Sequence, residues 1–166
     1  NDKTDRRNGF YVSPTDPEIN YVPIIEPGVA RFWPFGMIEI QERDHCLALT
    51  DLDAPNMRIV AVDVNEPGDP ADWKSLVDEG DEVLQSATVL GGRILISTLC
   101  VTENKLRSCN LQGVDFREID VPGGSSFSLP VCKREETECF VGVHGYRHPL
   151  ATYRYDVADE TLSMYR

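Results

Sequence analysis

The stretch DLDAPNMRIVAVDV, Asp51 to Val64, decides how the chain is read. A Pro/Asn corner opens directly into a run that is apolar on both sides and ends at an aspartate. In a strand from Met57 to Val64, Met57, Ile59, Ala61 and Asp63 point one way, and Arg58, Val60, Val62 and Val64 the other. Both sets are mainly apolar, which places protein above and below the strand. A helix is the rival reading of a short apolar run. Val and Ile are stiff at χ1 and favour a pleated surface, so the strand is preferred. In a turn starting at Ala54, Pro55 supplies the fixed φ and Asn56 tolerates positive φ. Before the turn lies a second apolar run, Cys46–Leu49, and the two together predict a β-hairpin of interior strands.

That hairpin recurs. Its first copy is Cys46–Thr50 and Arg58–Val64, followed by DWKSLV at Asp72–Val77. The second is Arg93–Ser97, Lys105–Leu111 and DFREIDV at Asp115–Val121, and the third Cys139–Val143, Ala151–Val157 and TLSMY at Thr161–Tyr165. The middle strands close on Asp63-Val64, Asn110-Leu111 and Asp156-Val157, 47 and 46 residues apart. One further strand candidate precedes each hairpin: Ala30–Met37, Val83–Leu90 and Ser125–Val131. The last strands read as half exposed, Trp73 alternating with Lys74, and Phe116 and Glu118 with Arg117 and Ile119. Four strands repeating in the mid-forties are the signature of a β-propeller. Amphipathic helical spacing is absent, which disfavours a helical solenoid.

Phe10–Val12 and Asn20–Ile25, separated by SPTDPEI, fit as the last two strands of a partial blade. The expected architecture is all-β: a partial β-propeller of about three and a half four-stranded antiparallel blades. Residues 1–166 form one partial propeller, with a half blade at 1–29 and blades at 30–79, 80–122 and 123–166. Propellers close with about four to eight blades, so the chain reads as a fragment of a ring.

Composition sets the outer bounds. The 166 residues are 41% hydrophobic, enough for a real core, and no apolar run approaches the length of a membrane span. Net charge is −12, which argues against nucleic acid or an anionic membrane as partner, since both reward basic surfaces. Five cysteines (Cys46, Cys100, Cys109, Cys132, Cys139) form no C-x-x-C and leave one unpaired in any disulfide scheme. Cys100 and Cys109 could face each other across a hairpin, but reduced, buried thiols are preferred, as in a cytoplasmic protein. No signal peptide opens the sequence, which begins at Asn1.

The corner and the segment after it carry a family resemblance. Thr50, Ala54, Pro55, Asn56 and Arg58, then Trp73, Lys74, Leu76 and Val77 before an acidic loop, resemble the propeller of the prolyl oligopeptidase family of serine peptidases. The stretch GGSSFSLPVCKREETECFVGVHGYRHPLATYRYDV is similar to that family's last blade, with His148-Pro149 at its hairpin corner and Tyr155-Asp156 closing a strand. The resemblance covers about Phe10 to Arg166. It implies a two-domain enzyme in which a seven-bladed propeller, not sealed by a shared strand, caps an α/β-hydrolase domain. The propeller then restricts access to short proline-containing peptides, which are cut after proline. This chain would be the C-terminal half of the propeller. Its partners would be the hydrolase domain, the remaining blades and the peptides.

The hydrolase chemistry itself finds no place here. The nearest approach to a G-x-S-x-G elbow is Gly123-Gly124-Ser125-Ser126-Phe127, where Phe127 replaces the second glycine and no helix follows, so it reads as an inter-blade turn. No catalytic residue is assigned, and none is expected to bind a cofactor or a metal. His144 and His148 flank Gly145 in a hairpin corner with no acidic base between them. Asp51 and Asp53 resemble the start of a calcium loop, but Pro55 falls on a ligand position, Asn56 replaces the turn glycine, and Val62 stands where the last acidic ligand belongs. Phe32, Trp33 and Phe35 are read as fillers between blades, with a peptide passage lined by Arg31 and this cluster as the alternative. In some family members an inner-strand cysteine lies near the bound peptide, and Gln85–Leu90 has none.

The leading expectation is a non-catalytic propeller segment that gates peptides to a hydrolase domain outside this chain. The alternatives are a free-standing interaction module and a non-functional fragment. Blade faces carrying Ile59, Val60, Ile94 and Phe140 are expected to lose a neighbour at the broken ends and to promote self-association.

Overall fold

The computed structural model describes residues 6–13, 21–101, 103–145 and 150–165. They form two compact units, Asn1–Glu79 and Gly80–Arg166.

The first unit opens with a two-stranded ribbon, β1 (Phe10–Val12) and β2 (Val22–Ile25), and continues with β3 (Phe32–Ile40), β4 (Arg43–Thr50), β5 (Arg58–Asp63) and β6 (Ser75–Val77). These last four lie side by side in chain order, all antiparallel. The β4–β5 hairpin is therefore the interior of its sheet, as its sequence predicted. Ile59, Val60, Ala61 and Val62 are all buried, so both faces of β5 are covered.

The corner between β4 and β5 is built from two successive turns. The amide of Ala54 donates to the carbonyl of Asp51 (3.2 Å), and that of Met57 to Ala54 (2.8 Å). The Thr50 hydroxyl accepts from the Leu52 amide. One expectation fails here. The left-handed positions are Asp53 (φ 51°) and Met57 (φ 71°), not Asn56. Met57 is fully buried, and seating its side chain takes precedence over the strain of its backbone.

Trp73 is buried and Lys74 exposed, the alternation expected of them, but the strand begins only at Ser75 instead of Asp72. A single 3-10 turn, Pro70–Asp72, delivers it just ahead of β6, and it is only 6% exposed. Its indole N–H donates to the Pro67 carbonyl (2.7 Å), and the ring meets Phe32 at 5.4 Å. A Phe10–Phe32–Trp73 row thus runs through a core shared by the ribbon and the four-stranded sheet, with Ile24, Ile25, Ala48, Val60 and Val62 around it. Asn8 adds a polar clamp on the same strand. Its side-chain amide donates to the Phe32 carbonyl (2.7 Å) and accepts from the Phe32 amide (2.8 Å).

The second unit holds two further four-stranded antiparallel sheets. One is β7 (Val83–Leu90), β8 (Arg93–Cys100), β9 (Glu103–Asn110) and β10 (Arg117–Ile119). The other is β11 (Ser125–Ser128), β12 (Glu138–Gly145), β13 (Ala151–Asp156) and β14 (Thr161–Met164). Leu90, Leu95, Leu106 and Ile119 of the first pack with Cys139, Val141, Val143 and Tyr155 of the second in one core. β11 stops at Ser128 rather than Val131, because Pro130 has no amide hydrogen to offer a ladder. The strand β10 begins after Phe116, which is exposed. Of the four residues whose faces were expected to lie open, Ile59, Val60 and Ile94 are buried on β5 and β8, interior strands of their sheets, and only Phe140 is exposed, at 44%.

All five cysteines are free thiols. Cys100 lies opposite Glu103 and Cys109 opposite Ile94, so they do not meet across the hairpin. Burial pushes Cys46 and Cys109 up to about 11, which keeps both protonated at neutral pH and leaves them as small apolar fillers.

Candidate functional site

The residues that carry the family resemblance turn out to be builders of the fold. Thr50 and Ala54 are buried in the corner, Asn56 donates its amide to Glu79 (2.5 Å), and Trp73 anchors the core. Gly123 and Gly124 occupy the turn between β10 and β11, with Gly124 at φ 71°, and a strand rather than a helix follows. Ser125 is buried. The Asn104 side chain donates to its carbonyl (3.1 Å) and to the Ser126 hydroxyl (2.9 Å), which ties β9 to β11. A strained, exposed nucleophile is not built there. Gly145 has a packing reason: a Cβ on it would lie 2.7 Å from the Gly124 carbonyl oxygen.

His144 is exposed on β12, and His148 and Pro149 fall outside the described residues. Among the described residues no group of three His, Cys, Asp or Glu side chains is placed to hold a metal. Asp51 is engaged by Arg31, whose amide and Nε both reach its carboxylate at 2.6 Å. The Arg31 guanidinium also lies over the Trp33 ring, 5.5 Å from its centroid. Phe32 fills the core as expected, but Trp33 does not and is 42% exposed. Alternation along a strand explains the split, since neighbours point to opposite faces. Arg31, Trp33 and Asp51 are thus held together at the start of β3, the first strand of its sheet.

Two charged clusters in the second unit escaped the sequence reading. Glu82, just ahead of β7, accepts from the Thr98 hydroxyl (2.8 Å) and pairs with Lys105 (2.7 Å) and Arg107 (3.0 Å). Partial burial alone would push its carboxyl up, but those partners together outweigh it and hold Glu82 below its ordinary 4.5. The other cluster joins the two sheets. Arg93 on β8 pairs with Glu160 (2.9 Å) and Asp115 (2.9 Å), and Arg117 on β10 reaches the same two carboxylates at 2.5 and 3.0 Å. Hydrogen bonds from Arg93 and Arg117 hold Asp115 below its ordinary 3.8. Asp115 and Glu160 both sit in turns at positive φ.

A pH dependence arises from these depressed carboxyls. A group whose folded pKa lies below its unfolded one stabilises fully at neutral pH and loses that effect as pH falls through the folded value. Urea unfolding is therefore expected to be flat down to about pH 5 and to weaken steadily below the unfolded-state values. Glu82→Gln should make the acid limb shallower. An equally steep decline in that variant would remove Glu82 from the explanation.

Comparison with known proteins places this arrangement. The family model described as "Prolyl oligopeptidase, N-terminal beta-propeller domain" matches residues 1–166. The chain belongs to the prolyl oligopeptidase family. Among curated relatives of this family it is 23% identical over 159 residues to a prolyl endopeptidase of Elizabethkingia meningoseptica, covering 96% of this chain and 22% of that protein. It also resembles a solved prolyl endopeptidase with a TM-score of 0.81 at 21% identity, over 97% of this chain and 23% of that one. Prolyl oligopeptidase B from Galerina marginata is another such structure, at TM-score 0.77 and 17% identity, over 98% of this chain and 23% of that one. These likenesses establish the fold as a partial propeller. The chain thus spans under a quarter of the length of the prolyl oligopeptidase relatives it matches.

Proposed function

We propose that this chain is the non-catalytic propeller segment of a prolyl oligopeptidase-like serine peptidase, gating short proline-containing peptides to an α/β-hydrolase domain outside residues 1–166. In this reading the half blade (1–29) and the three blades (30–79, 80–122, 123–166) are successive blades of a propeller. A packed ring excludes folded substrates by size and admits slim, extended ones. The observation that carries the reading is the family match over the whole chain, joined to four-stranded antiparallel sheets whose motif residues support structure. The exposed Trp33, with Arg31 against its ring, is the natural contact for a passing peptide, because proline rings stack on aromatic faces.

The face of the last sheet turned away from its core supports the remaining blades as partners. There Phe140 and Tyr165 meet edge to face at 4.9 Å, with both rings exposed. A cytoplasmic setting accords with the five free thiols.

The test compares the protein carrying this chain with residues 1–166 alone. The former should cleave a short proline-containing peptide and spare a folded protein that displays the same sequence in an exposed loop, too wide for such a ring. Trp33→Ala should raise KM for the short peptide while leaving kcat within about twofold, as loss of uniform binding does. Cleavage by residues 1–166 alone, or equal cleavage of both substrates, would overturn the reading.

A further inference from the structure

We propose that Cys132 and Cys139 are an oxidation site that closes to a reversible disulfide across the loop between β11 and β12. The pair stands apart from the other cysteines. Both sulfurs belong to the same packed cluster, Cys139 as a buried member and Cys132 as a half-buried neighbour. The Cys132 thiol lies near enough to Cys139 to help, after burial, in pushing the Cys139 thiol up. Both also line an open cavity of about 550 Å³, together with Pro130, Val131, Glu136 and Phe140, which gives a small oxidant a way in.

The intervening loop is already folded back on itself. The Glu136 amide donates to the Lys133 carbonyl (3.0 Å), while the Glu136 carboxylate accepts from the Lys133 amide (3.1 Å). Fixed contacts hold the loop's ends and middle. The Cys132 amide donates to the Thr88 hydroxyl (3.3 Å), Gly91 to the Arg134 carbonyl (3.0 Å) and Val157 to the Thr137 carbonyl (2.9 Å). Bridging needs two cysteines whose backbones are close and whose side chains converge, and a short folded-back loop with both cysteines in one cluster brings this pair together.

The chemistry balances with a peroxide as oxidant. The Cys132 sulfur attacks one peroxide oxygen, the O–O bond breaks, one water leaves, and Cys132 becomes a sulfenic acid. The Cys139 sulfur then attacks the Cys132 sulfur. The S–S bond forms as the S–O bond breaks, and the departing hydroxide takes the Cys139 proton as a second water. Two thiols and one peroxide become one disulfide and two waters, and thiol exchange restores the start. Burial pushes the Cys139 thiol up to about 12, which assigns the first oxidation to the more exposed Cys132. Such bonds in reducing compartments are transient and redox-sensing.

The test does not depend on peptidase activity. The protein carrying this chain is exposed to excess hydrogen peroxide, its remaining thiols are alkylated after denaturation, and it is digested with trypsin. Trypsin cuts after Lys133 and Arg134, between the two cysteines, so the bond appears as two peptides joined through Cys132 and Cys139. The joined peptides should vanish on reduction and be wholly lost in Cys132→Ser. Circular dichroism on that variant confirms that it still folds. Cys132 recovered as sulfinic or sulfonic acid with Cys139 alkylated, or either cysteine joined to Cys46, Cys100 or Cys109 instead, would overturn the proposal.

Discussion

Phe32→Ala lowers the unfolding free energy by about 3–5 kcal/mol, the range for deleting a buried aromatic ring. Phe32 is fully buried at the start of β3, with its ring 5.4 Å from Phe10 on one side and 5.4 Å from Trp73 on the other. Removing it opens a cavity in the middle of that row and separates the ribbon β1–β2 from the sheet it packs on. The surroundings cannot collapse into the gap, because Trp73 is tied to Pro67 and the Phe32 backbone to Asn8. Trp33→Ala is the control. The next residue along, with its side chain partly in water, should change stability by under about 1 kcal/mol. Urea unfolding of the two variants decides the matter, and similar losses in both would show that the row is not the centre of its core.

Arg93→Ala should cost about 2–4 kcal/mol, for a different reason: it strands a carboxylate withdrawn from water. The Arg93 side chain is 14% exposed and the Glu160 side chain 16%, so the pair is largely desolvated. Arg93 also donates to the Ser108 hydroxyl and to the Asp115 carbonyl. Its loss leaves Glu160 with Arg117 and the Ser108 hydroxyl, and the cost of an under-compensated buried charge exceeds the worth of the bond itself. Arg93→Lys should recover only part, since a point charge cannot reproduce the planar fork that serves several acceptors at once. In a double-mutant cycle with Glu160→Gln, the two losses should fall short of additive by about 0.5–3 kcal/mol. Additive losses would mean that the pair contributes nothing as a pair.

The sheets were legible in the sequence because their signal is local. A strand buried on both faces, such as β5, reads as a continuous β-branched run, and a hairpin announces itself through Pro55 and the Asp or Asn that ends each middle strand. The recurrence of the hairpin and the corner at Thr50–Asn56 pointed to the family. What could not be read depends on positions distant along the chain. Trp73 looks like an outer-strand residue until the 3-10 turn before it is known, and the left-handed backbone falls on Met57 because its side chain must reach the core. Arg93 and Glu160 are far apart in sequence, and no spacing rule brings them together. The candidate site was the least legible part. Arg31 with Trp33 was noticed as an aromatic cluster, but only the fold separates the buried Phe32 from its exposed neighbour.

The clamp that Asn8 places on β3 has a consequence for solubility. β3 is the border of its sheet, and a border strand offers unpaired amides and carbonyls on which another chain could stack. Phe32 and Pro34, two residues apart, turn their backbone groups to that same side. Asn8 occupies both groups of Phe32, Pro34 has no amide hydrogen to give, and a bulge between Pro34 and Gly36 breaks the ladder just beyond. Within this short span the strand has no free amide left to donate to a stranger. A side-chain amide, a proline and one irregular step thus act as a guard against cross-β growth at the place where this sheet would otherwise invite it.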